Sequence, residues 1–124
     1  MMKKNYRTGW LLVIIVTMLL LIGCENSNLK EETNSFVINN SYSVIYNDLS
    51  SIIKEITMFP TKDKEEKLIY YIGAIKENYT KFNNDELENI SNLLDFEYNF
   101  NLNELDYEVN DFANDKTIIK SYVK

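Results

Sequence analysis

The chain has 124 residues, 45% hydrophobic and 26% charged, with one Cys, one Pro, three Gly and no His. That length supports one domain. The lack of His removes imidazole acid–base chemistry and His metal ligands, and a single Cys excludes an internal disulfide or a multi-cysteine zinc or iron–sulfur site. Thirteen Lys+Arg against nineteen Asp+Glu, net −6, argue against nucleic acid as a partner.

In chain order, residues 1–8 carry Lys3, Lys4 and Arg7 and no acid. Trp10 to Ile22 is then a run of 13 residues, all apolar except Thr17. A helix of that length spans roughly 20 Å, short of the roughly 30 Å hydrocarbon core. A basic start followed by a short apolar run reads as a secretory signal peptide, with an uncut anchor helix as the alternative. The run ends in Leu21-Ile22-Gly23-Cys24, which resembles the signal box of bacterial lipoproteins. The resemblance implies a diacylglyceryl group on the Cys24 thiol and cleavage between Gly23 and Cys24. It also implies a lipid anchor at the outer face of the cell membrane, stable without a span because each buried methylene contributes about 0.8 kcal/mol. Val16 to Gly23 is similar to the apolar octapeptides that some lipoprotein signals release as mating pheromones. The domain reading is a signal peptide over 1–23, the lipidated Cys24 with a polar linker over 24–34, and an acidic helical domain over 35–124.

Three of the 13 bases and none of the 19 acids precede Cys24, so the cleaved chain carries −9. An anionic membrane surface repels such a domain within about 8–10 Å. Twelve Lys to one Arg, with 17 Asn and 14 Ile, reflect an AT-rich coding bias, which with the signal points to a low-GC Gram-positive source.

The linker is followed by four apolar stripes. Ile38, Tyr42, Ile45, Leu49, Ile52, Ile56 and Phe59 step by 4 and 3 without a polar interruption. This predicts an amphipathic helix over 35–59, ended by Pro60. A second helix starts near Thr61, with Asp63 and Glu66 as a capping box, and its stripe is Leu68, Ile72, Ile75, Tyr79 and Phe82. Asn83-Asn84-Asp85 breaks it and offers new caps. Leu87, Ile90 and Leu94 mark a third helix to about Tyr98. A fourth, from an Asn101/Glu104 capping box, carries Leu102, Leu105, Val109, Phe112, Ile119 and Val123, with Lys116 breaking its stripe. Residues 96–102 alternate apolar and polar, the strand template. Helix end, turn and helix start is preferred, because a lone strand lacks a partner. The fold class expected is all-α, a small antiparallel up-down-up-down bundle of about four helices after the signal helix.

Chemistry-bearing patterns are sparse. The carboxylate pairs Glu65/Glu66, Asp85/Glu88 and Asp111/Asp115 fall on polar faces or first turns, where solvation and the helix dipole account for them. Ser50, Ser51 and Thr61 have no partner base. Asn110-Asp111 with Asn114-Asp115 is oxygen-rich but lacks the glycine turn of a calcium loop, and no glycine-rich phosphate loop occurs. No catalytic residue, metal site or cofactor is expected. Tyr70 and Tyr107 fall opposite the stripes and are therefore expected to be exposed, as candidate partner-binding residues. Tyr42 and Tyr79 lie on the stripes and are expected in the core. The functional expectation is a non-enzymatic binding lipoprotein of immunity or exclusion type, whose acidity draws a protein or cationic peptide. The alternatives are an accessory subunit of an envelope transport, secretion or sporulation complex and, last, an enzyme.

Overall fold

The computed structural model describes residues 29–100 and 106–124, so the expected signal with Gly23 and Cys24, the Asn101/Glu104 capping box and the Leu102 and Leu105 stripe positions lie outside the described residues. The compact unit is Glu31–Lys124. The described helices are α1 (Leu29–Asn39), α2 (Tyr42–Met58), α3 (Lys62–Glu77), α4 (Asn84–Leu94) and α5 (Val109–Ser121), with a 3₁₀ turn at Tyr79–Lys81. There is no strand among the described residues, and the all-α expectation stands. The number of helices differs: the element expected over 35–59 is two helices, and the first begins inside the expected linker.

Two local causes account for α1. Lys30, Glu31 and Glu32 are good helix formers, and the acids sit in the first turn where they favour the dipole. Thr33 and Val37, one turn apart, are buried. At the other end, Lys81 Nζ donates to the carbonyls of Val37, Ile38 and Asn40. A cation thereby meets the exposed carbonyls of a helix C-terminus. The polar run Asn39-Asn40-Ser41 then breaks the chain, Asn40 Nδ2 bonding back to Phe36 O at 3.0 Å. Because the break resets the phase, Ile38 leaves the stripe and is 53% exposed.

Helix α2 keeps the expected face: Ile45, Leu49, Ile52, Ile53 and Ile56 are buried. Its end does not, since Met58 and Phe59 are 71% and 75% exposed where the chain turns at Pro60. Helix α3 is capped by Thr61, whose side chain accepts from the Lys64 N–H, not by the expected Asp63/Glu66 pair. It ends at Asn78, whose N–H and Nδ2 both bond to Ala74 O. Tyr79 is therefore outside the helix and exposed, stacked on Tyr122 at 4.0 Å between centroids, and not in the core. Tyr42 is half-buried, edge-on to Phe82 at 6.4 Å. Helix α4 opens on a reciprocal cap, Asn83 Oδ1 accepting from Glu86 N and Glu86 Oε1 from Asn83 N, both at 2.9 Å.

The main helix pairings are α2 with α3, α3 with α5, α5 with α4, and α4 with α2. They close a four-helix ring in which the core lies inside. Consecutive α3 and α4 are not among those pairs, so the chain crosses the ring after Phe82 instead of stepping to the adjacent position. The last residue is tied back, Asn84 exchanging hydrogen bonds with the Lys124 main chain at 3.3 Å.

Candidate functional site

The feature that stands apart from ordinary bundle packing is the segment after α4. Helix α4 ends at Leu94, not near Tyr98, and α5 begins at Val109, not near Asn101. Between them, Phe96, Tyr98 and Phe100 are half-buried while Glu97 and Asn99 are exposed. The alternation is that of an extended chain laid along the bundle. Its aromatic side is a connected set: Phe96 packs on Phe112 at 5.2 Å, Phe100 on Phe112 at 5.7 Å and on Tyr107 at 4.9 Å. Tilted and edge-on rings of this kind add attraction beyond the area they bury.

Two polar ties fasten this strap to α3. Tyr98 donates its hydroxyl to Glu65 Oε1. Glu65 is 0% exposed, although its place in the sequence had assigned it to a solvated face; its Oε2 is buried without a partner. Tyr107 donates to Asp115 Oδ2 at 2.8 Å, and Lys76 Nζ meets Asp115 Oδ1 at 2.6 Å. Asp115 thus joins the strap, α3 and α5 and is not part of a solvated pair. Burial first, then the bond to Glu65 and its charge, push the Tyr98 hydroxyl above the usual tyrosine range. Tyr107 is raised in the same way, by burial and then by the bond to Asp115.

Lys116, which breaks the α5 stripe, also serves the strap. Its Nζ donates to Phe96 O at 3.1 Å and lies 4.8 Å from the Phe112 ring centroid. The aliphatic stem follows the apolar stripe and the charge leaves it at the edge. A groove of about 320 Å³ between α4 and α5 is lined by Ser91, Asn92, Asp95, Ala113, Lys116, Thr117 and Lys120.

The remaining candidates are not brought together. Glu66 pairs with Lys62 at 4.0 Å on its own helix. Asp85 and Glu88 are exposed. Asp111 accepts the Glu108 N–H at 3.0 Å, capping α5. Asn110 and Asn114 are exposed and Ser50 is half-buried. Among the described residues no three acidic or sulfur side chains gather where an ion could sit, and none of the described helices is long and apolar enough to cross a membrane. Tyr107, expected to be exposed, is half-buried because its ring packs on Phe100 and its hydroxyl is engaged. Tyr70 is also half-buried, on α3. Spacing could have found Glu65, which stands three residues before Leu68 and seven before Ile72 on the same helical face. Nothing local announces the Asp115–Lys76 pair, whose members are 39 residues apart.

The chain matches no known protein-family model, no curated protein and no solved structure.

Proposed function

We propose that the protein is a lipid-anchored, extracytoplasmic binding protein of immunity or exclusion type that works without chemistry of its own. The observation that carries this reading is Leu21-Ile22-Gly23-Cys24 at the end of a 13-residue apolar run with a basic start. Cys24 would carry the diacylglyceryl group, placing the acidic bundle on the outer face of the cell membrane. The net charge of −9 after cleavage supports a cationic protein or peptide as partner, since it raises the encounter rate with such a molecule.

Fractionation tests the anchor. The wild-type chain is expected in the membrane fraction at the mass of a cleaved, diacylated protein. Cys24→Ser is expected to accumulate uncut, without added lipid. A Cys24→Ser protein held on the membrane at the same mass as wild type overturns the proposal.

A further inference from the structure

The strap carries a main-chain edge that makes no hydrogen bond among the described residues. Rings two residues apart lie side by side, Phe96 with Tyr98 at 6.2 Å and Tyr98 with Phe100 at 4.9 Å. This is the period-two geometry of a strand. In such a chain the N–H and C=O of one residue point to one edge and those of the next residue to the other. The Phe96 carbonyl accepts from Lys116 of α5, so the edge of residues 96, 98 and 100 faces α5. The main-chain groups of Glu97 and Asn99 consequently lie on the opposite edge, the one turned from α5. Among the described residues, no hydrogen bond uses the main chain of Glu97, Tyr98 or Asn99. The aromatic contacts already hold the segment extended, so a partner need not supply that ordering.

The exposed charges on the described part of the strap are acidic, and Lys116 of α5 meets its other edge. Residues 83–115 contain ten Asp and Glu and no Lys or Arg. Of these, Asp95, Glu97, Asp106 and Glu108 are exposed. An open strand edge is a template for an added strand. The carboxylates decide which strand: a second copy of this chain would set like charges against each other, a destabilising cross-strand arrangement, whereas a basic peptide meets opposite charge.

We infer that the outer edge at Glu97 and Asn99 is a docking site for a basic, extended peptide segment, which adds to the strap as a strand and sets its lysines or arginines against the flanking carboxylates. The inference rests on the binding-protein reading and deepens it by stating the partner's chemistry and its mode of attachment. It also separates two roles on one segment. The aromatic side holds the bundle, and the main-chain edge and acidic side chains recognise the partner.

The test uses the full chain in detergent micelles and a synthetic peptide of alternating lysine and valine. Calorimetry is expected to show binding, with slowed amide exchange at Glu97 and Asn99. N-methylating alternate amides of the peptide keeps its charge and removes its hydrogen bonds along one edge. With the methyl groups on the pairing edge, binding is expected to weaken by about tenfold or more, the scale of one or two lost hydrogen bonds. Asn99→Pro is expected to weaken it similarly, since proline accepts an extended φ but has no N–H. Glu97→Gln is expected to lower the salt dependence of binding. Absence of binding, equal binding when either set of alternate amides is methylated, or protection confined to other residues overturns the inference. The methylated peptides are tested on the wild-type chain, so the outcome does not depend on how a variant folds. The binding experiment is independent of lipidation, so failure here leaves the Cys24→Ser result standing, and the reverse.

Discussion

Glu65 and Tyr98 form a polar pair that joins the strap to α3. A carboxyl group removed from water costs free energy unless its oxygens find donors. One oxygen of Glu65 has the Tyr98 hydroxyl and the other has none. Breaking such a pair from one side costs more than the bond itself stabilises, because it strands the remaining group. Tyr98→Phe is therefore expected to lose about 1–3 kcal/mol of stability in urea denaturation. Glu65→Leu combined with Tyr98→Phe is expected to recover most of that loss, because no buried polar group is then unpaired. A double variant no more stable than Tyr98→Phe alone would show that the pair contributes more than its own hydrogen bond. The helical period places Glu65 on the Leu68 face, but its partner lies 33 residues along the chain, beyond any local pattern.

Among the elements, legibility followed how local the cause was. The start and the buried face of helix α4 could be read from the sequence, because Asn83 and the Leu87–Ile90–Leu94 stripe sit within a few residues, whereas its end at Leu94 falls short of the expected Tyr98. Its cap makes a quantitative case: Asn83→Ala removes the acceptor for the Glu86 N–H and is expected to cost about 1 kcal/mol, lowering Tm in a far-ultraviolet circular dichroism melt. Helix α1 reads as linker in its first half, residues 29–34, because those residues are polar, and as the start of the next helix in its second half. Its register depends on Lys81, which reaches back to its last carbonyls across 41 to 44 residues, and on Asn34, whose Oδ1 accepts from Asn78 Nδ2 at 2.7 Å. The segment after α4 shows the opposite error. Its alternating pattern was real and the chain is extended there, but alternation reports only which side chains turn inward. It cannot report whether the inner face meets another strand or, as here, the side of a helix.

For the whole molecule, pH exposes the cost of ionising the buried tyrosines. Tyr71 is raised above the tyrosine value of 10.0 by burial first and by the nearby Asp48 charge. Tyr98 and Tyr107 are raised as described above. The unfolded chain releases these protons near pH 10 while the fold retains them. The unfolded state then binds fewer protons, so stability falls as pH rises through and beyond that value. Tm is expected to decline above about pH 10, with a shallower decline in Tyr107→Phe; parallel slopes for that variant and the wild type would rule out Tyr107 as a contributor.

The apolar stripes could be read as helices, and hence as an all-α bundle, because burying a continuous face every three or four residues is a local requirement that composition and spacing already express. The pattern that carries the proposed lipid anchor is legible for the same reason, being defined by length, charge and order within the first 24 residues. Folding the chain set the remainder: the crossing between α3 and α4, the recruitment of α1, the burial of Glu65 and the seating of the strap. Each of these is a pairing of groups tens of residues apart, and whether a polar side chain faces water or a distant partner depends on which surfaces meet in space.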